Sequence, residues 1–128
     1  VSVLKPLVSA GFAVCLWNRT HARIEEFFRL TGVRCATAAE ADSEEFDVVI
    51  NATSASLKGE PLPILWRGNG LAMDLMYSRE PTPFMLAARE ARWTALDGRE
   101  MLVQQGALSY EFWLGVKPSI EAMRGALT

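Results

Sequence analysis

Phe12-Ala13-Val14-Cys15-Leu16-Trp17 is an unbroken apolar run that ends in the polar turn Asn18-Arg19-Thr20 and leads into a helical pattern. A run that is apolar at every position, and not at every second one, fits a strand buried on both faces, as in parallel sheets covered by helices. The rest of the chain repeats the alternation. Val3 to Ala10 reads as the end of a helix closed by Gly11, so the chain opens in mid-unit. Thr20 starts a helix to about Leu30 with Ile24, Phe27 and Phe28 on one face, and Gly32 ends it. Val33 to Ala36 is a short strand, Ala38 to Ser43 a helical turn, and Phe46 to Asn51 the clearest buried strand, leading into Ala52-Thr53-Ser54.

Beyond a loop from Ala55 to Arg67, a strand is expected over Leu71 to Met76. A helix opened by Pro81 and Pro83 then runs to Arg92, followed by a strand from Trp93 to Leu96. Asp97-Gly98 makes a turn into a helix from Glu100 to Leu114, closed by Gly115. Met101, Gln105, Leu108 and Phe112 form one stripe along it by their spacing of four, three and four. Pro118 starts a last helix. Strands alternating with helices imply an α/β class, a mainly parallel sheet with helices on both faces.

Asn18, Arg19 and Thr20, with Arg23 a helical turn further on, place two guanidinium groups and a hydroxyl where a strand feeds a helix, a setting suited to phosphate. In a dinucleotide fold an acidic residue at the end of the second strand binds the free 2′-hydroxyl of NAD. Here arginines replace the acid, and a planar guanidinium both forks onto phosphate and stacks on adenine, so the pattern favours NADP. The same residues also read as a solvated turn with Thr20 as helix N-cap.

The 128 residues, 50% hydrophobic and 22% charged, amount to one domain with a soluble globular composition. A net charge of −2 gives no general attraction to nucleic acid or anionic membrane, so the arginines near position 20 act locally. No apolar stretch approaches a membrane span, and Val1 to Pro6 lacks a signal-peptide layout, which points to the cytoplasm. Cys15 and Cys35 have neither metal-ligand nor Cys-x-x-Cys spacing and read as buried free thiols; no metal site is expected. His21, the only histidine, reads as a surface residue.

An ordered series spans the chain: Asn18-Arg19-Thr20-x-x-Arg23, Asn51-Ala52-Thr53-Ser54, Asp74-x-x-Tyr77, Thr82-Pro83-Phe84, Asp97-Gly98 and Met101-Leu102-Val103-x-Gln105. In order and spacing it resembles the C-terminal, NADP-binding domain of the shikimate dehydrogenases. The resemblance implies a Rossmann-like, doubly wound fold that here lacks its first strand and glycine-rich loop, and a substrate domain upstream carrying the catalytic Lys and Asp. It implies NADPH-dependent reduction of 3-dehydroshikimate to shikimate on the route to aromatic amino acids, by a monomer or homodimer. A quinate or aminoshikimate dehydrogenase, glutamyl-tRNA reductase and a non-catalytic nucleotide-binding module are the alternatives. No catalytic residue is assigned within the chain, since Lys5, Lys58 and Lys117 match no catalytic motif.

By the same resemblance, Asn18, Arg19, Thr20 and Arg23 clamp the 2′-phosphate and adenine. Ala52, Thr53 and Ser54 pass along the cofactor at the carboxyl edge of a strand, where ligands sit in open α/β sheets. Leu75 contacts the nicotinamide through its backbone, and Gly98 lets backbone approach the nicotinamide amide. Tyr77 and Gln105 contact substrate; Tyr77 also reads as a packing residue, and Gln105 as a buried amide bonded to backbone. Ser56 and Glu100 stand where the family commonly has glycine, and Asp74 also reads as structural.

Overall fold

The computed structural model describes residues 3–36 and 41–127, except for the side chain of His21. Two units follow one another, Val1–Ala41 and Asp42–Thr128.

The first unit is a helix–strand–helix–strand segment. Helix α1 (Leu4–Ser9) is followed by strand β1 (Cys15–Trp17), helix α2 (His21–Thr31) and strand β2 (Arg34–Ala36), which lies parallel to β1 with Leu16 opposite Cys35. Gly32 ends α2 in the left-handed conformation, φ 66°, and its N–H bonds the Phe28 carbonyl, the glycine stop expected from the sequence. Ile24 of α2 and Val33 are buried. Four expectations need correction. Phe28 is 58% exposed, so the apolar face of α2 is narrower than its three residues suggested. Phe12 is likewise exposed, and β1 is half-buried throughout, so this strand is not covered on both faces among the described residues. Cys15 and Cys35 are free but half-buried; desolvation, and then proximity to Cys15, pushes the Cys35 thiol up. The expected helical turn at 38–43 falls partly outside the described residues, and Ala41–Asp42 forms a strand, β3, instead.

In the second unit β3 lies beside β5 (Ile64–Leu65). Ser43, just beyond β3, is buried and ties the two stretches together: its Oγ donates to the Arg67 carbonyl at 2.9 Å. Strands β4 (Val48–Asn51), β6 (Leu71–Asp74) and β7 (Thr94–Leu96) form a parallel sheet in the order β4-β6-β7, with Asn51 opposite Asp74 and Met73 opposite Leu96. Their carboxyl ends therefore share one edge. Helix α3 (Pro83–Glu90) packs its Phe84, Met85 and Ala88 with Ala72 of β6 and Trp93 in the core. Trp66 meets Phe84 and Trp93 with ring centroids 5.4 and 5.3 Å away, tilted and edge-on. Thr82 caps α3 through Oγ1, which accepts from the Met85 N–H, and Pro83 follows at the first helical position, where no N–H is needed.

Helix α4 (Arg99–Leu114) ends at Gly115, φ 68°, and α5 (Ile120–Gly125) follows, capped by the Ser119 hydroxyl. Arg124 of α5 donates to the Glu100 carboxylate of α4 through Nε at 2.8 Å and Nη2 at 2.7 Å. The stripe expected along α4 is not the buried one. Val103 and Ala107, four residues apart, are buried, whereas Gln105 is exposed and Leu108 and Phe112 are 67% and 85% exposed. Two apolar faces compete on this helix, and α5 packs near the other, with the Met123 side chain beside Gly106. No helix among the described residues is long and apolar enough to cross a membrane.

Candidate functional site

In the first unit the four expected phosphate-binding residues occupy the turn from β1 into α2. Asn18 Oδ1 accepts from the Thr20 N–H at 2.8 Å, a side-chain turn that shapes the loop before the helix begins. Arg19, Thr20 and Arg23 are exposed. The Thr20 hydroxyl makes no capping bond although Thr20 is the N-cap residue, so the turn is held by Asn18. Neither Arg19 nor Arg23 is paired with a carboxylate among the described residues, and no acid occurs between positions 18 and 23. This donor set fits an anion carrying more than one charge.

In the second unit the remaining expected residues gather at the carboxyl edge of the β4-β6-β7 sheet and the start of α4. Ala52, Thr53 and Ser54 are exposed directly after β4. Asn51 Oδ1 accepts from both the N–H and the Oγ1 of Thr53, at 3.0 and 2.8 Å, and Thr53 Oγ1 in turn accepts from the Ala55 N–H. The loop is therefore built on a buried asparagine. Leu75 follows β6, and its N–H donates to the Asn51 carbonyl at 3.0 Å. Gly98 is buried against it: its N–H donates to the Met76 carbonyl at 3.1 Å, and a Cβ there would overlap the Leu75 carbonyl.

Tyr77 stands at the same edge and is half-exposed, which disfavours a purely packing role. Gln105 lies about two turns along α4 from Gly98, on its exposed side. Its amide makes no hydrogen bond among the described residues, so the expectation of a buried amide bonded to backbone is corrected: the surface of α4 there is open. Gln104, by contrast, donates to Glu100 at 2.8 Å.

Beneath this edge lies a buried polar cluster whose extent sequence reasoning missed. Asp74 is fully buried, and its carboxylate accepts four hydrogen bonds: from Asn51 Nδ2 (3.2 Å) and the Met76 N–H (3.1 Å) at Oδ1, and from Ser56 Oγ (2.5 Å) and Thr82 Oγ1 (2.7 Å) at Oδ2. Asn51 Nδ2 also donates to Ser56 Oγ at 2.9 Å. The available signal was the run of short polar residues at 51, 54 and 56, with Asp74 and Thr82 each just beyond a strand interior or before a proline.

A small cavity of about 150 Å³ also opens near this edge, lined among others by Arg79, Arg89 and Arg99 with Glu80 and Asp97. Within it Arg99 is held by the chain itself: its Nε lies 3.2 Å from Asp97, and its Nη2 donates to the Ser78 carbonyl.

The family model described as "Shikimate 5'-dehydrogenase C-terminal domain" matches residues 98–128. A shikimate dehydrogenase (NADP(+)) of Herminiimonas arsenicoxydans is 40% identical over 94% of this chain and 47% of its own length. That of Methylobacillus flagellatus is 40% identical over 98% of this chain and 50% of its own length. Over nearly its whole length the chain is similar to shikimate dehydrogenases. Among solved structures, shikimate 5-dehydrogenase from Thermus thermophilus in complex with NADP(H) and shikimate superposes with a TM-score of 0.83 at 31% identity, over 98% of this chain and 49% of the other. The Rossmann-like α/β architecture expected from the sequence is thus shared with that structure. A 5-ketofructose reductase of Gluconobacter is also similar, with a TM-score of 0.67 at 28% identity over 88% of this chain. The chain spans about half the length of the curated shikimate dehydrogenases it matches.

Proposed function

We propose that this chain is the cofactor-binding half of an NADP-dependent shikimate dehydrogenase, whose substrate domain and catalytic Lys and Asp lie in the half that its relatives possess in addition. The observation that carries this reading is the exposed pair Arg19 and Arg23 on a turn without an acid, within a chain about 40% identical to NADP(+)-dependent relatives.

Each unit contributes a different part of the task. Asn18 shapes the turn, and Arg19, Arg23 and Thr20 take the 2′-phosphate and adenine; a dianionic 2′-phosphate suits two guanidinium groups where NAD would offer them only a neutral 2′-hydroxyl. In the second unit Ala52, Thr53 and Ser54 line the path of the cofactor, and the Leu75 backbone and Gly98 flank the nicotinamide. NADPH, when bound, supplies the hydride for ketone reduction. Tyr77 and Gln105 orient the polyhydroxylated substrate, which needs several hydrogen-bonding partners to be held in one pose against the cofactor. The reaction consumes 3-dehydroshikimate on the way to aromatic amino acids. Two free thiols suit a reducing, cytoplasmic setting. The partners are small molecules, with neither nucleic acid nor membrane, and the assembly is a monomer or homodimer.

The test is initial-rate kinetics of the protein at its natural full length with shikimate and NADP. Robust NADP reduction that depends on shikimate supports the reading. A strong preference for another polyol, such as quinate or 5-ketofructose with its ketone reduced, favours the second reading, a relative of different substrate range; the likeness to the 5-ketofructose reductase motivates it. Nucleotide binding without turnover would leave a non-catalytic module.

A further inference from the structure

Asp74 carries no matching cation within its hydrogen-bonded shell: its four partners are an asparagine amide, a backbone N–H and two hydroxyls. A carboxylate buried away from water is costly unless its acceptor sites are filled, and two oxygens offer about four such sites, all used here. Core packing alone would be met by an apolar residue of similar volume.

The four donors come from four stretches of chain, the end of β4, the loop after it, the turn after β6, and the cap of α3. Two of those stretches carry the candidate cofactor contacts. Asn51, held by Asp74 through Nδ2, holds Thr53 through Oδ1, so the carboxylate is one side chain removed from the exposed 52–54 loop. Met76 N–H, held by Oδ1, lies between Leu75 and Tyr77, and its carbonyl receives the Gly98 N–H. Ser56 closes the arrangement by bridging Asn51 and Asp74.

We propose that Asp74, braced by the Ser56 and Thr82 hydroxyls, is a positioning residue that sets the 52–54 loop and the 75–77 segment together to receive the nicotinamide end of the dinucleotide. The proposal rests on the cofactor reading above. It assigns Asp74 no contact with cofactor or substrate.

The test compares two ligands by calorimetry on the protein at its natural full length: NADP, and adenosine 2′,5′-bisphosphate, which has the adenine and 2′-phosphate but no nicotinamide. Asp74→Asn replaces one acceptor oxygen by an amide that repels a donor. It is expected to weaken NADP by about tenfold, the scale of a hydrogen bond to a charged group, and to leave the bisphosphate unchanged. Ser56→Ala is expected to act in the same direction by several-fold, and Ser56→Thr, which keeps the hydroxyl, to retain most of the lost affinity. If Asp74→Asn does not fold, the Ser56 pair decides. Unchanged NADP affinity in Ser56→Ala, or equal weakening of both ligands, would overturn the proposal while the cofactor reading stands. A wild-type protein that binds neither ligand would overturn both.

Discussion

Gly98 lies so close to Leu75 that a Cβ would overlap the Leu75 carbonyl, and its N–H is bonded to the carbonyl of the next residue, Met76. The start of α4 and the end of β6 are in backbone contact there. Gly98→Ala must push these two apart, and overpacking a rigid contact costs about 1–3 kcal/mol. Chemical denaturation should register that loss, and NADP affinity should fall with it. A variant of unchanged stability would mean that the two backbones are further apart than described.

Arg92 follows α3 with φ 67°, the left-handed conformation that glycine adopts readily and other residues do not. It is exposed, so its side chain contributes little packing. Arg92→Gly should therefore raise stability, by about 0.5–1 kcal/mol after allowing for the greater freedom of glycine in the unfolded chain. The midpoint of urea unfolding measures it.

Glu100 accepts hydrogen bonds from Arg124 and Gln104, which lower its carboxyl from the ordinary 4.5 to about 2. A carboxyl depressed on folding adds stability above its unfolded value that is lost as pH falls through the folded one, here between about 4.5 and 2. The group is exposed, so screening keeps the effect small. Glu100→Gln should flatten the acid limb of stability against pH in that window, and added salt should do the same in the wild type. Parallel acid limbs for the two proteins would remove the α4–α5 ion pair from the account.

Gln105 is exposed and unbonded within the described residues, so Gln105→Ala should leave thermal stability within about 0.5 kcal/mol of the wild type, as surface changes do. Its predicted effect is on the carbonyl substrate alone: a Michaelis constant raised about tenfold or more, with that for NADPH unchanged. A normal substrate Michaelis constant would remove Gln105 from the substrate site.

The alternation of strands and helices was legible because each element carries its own local signature. Val48 to Asn51 and Leu71 to Asp74 sit within short apolar runs, Thr82-Pro83 opens α3, and Gly32 and Gly115 stop α2 and α4. Such signals act within a few residues and need no knowledge of the partner. Which face of α4 is buried is a different kind of question. Met101, Leu108 and Phe112 form as good a stripe as Val103 and Ala107, and the choice between them is made by packing against elements distant in sequence. The partners of Asp74 were hidden for the same reason, since its side-chain partners lie 8, 18 and 23 positions away. That the candidate residues after β4 and β6 share one edge could be read from the sequence, because parallel strands bring their carboxyl ends to a single edge.

The most direct test of the account is the cofactor preference of the full-length protein, measured as kcat/KM for NADP against NAD with shikimate held constant, in the wild type and in Arg19→Ala/Arg23→Ala. The account predicts a wild type that prefers NADP, and a double variant whose kcat/KM for NADP falls about a hundredfold while that for NAD and the Michaelis constant for shikimate change little. A wild type indifferent to the 2′-phosphate, or a double variant that keeps its preference, would contradict it.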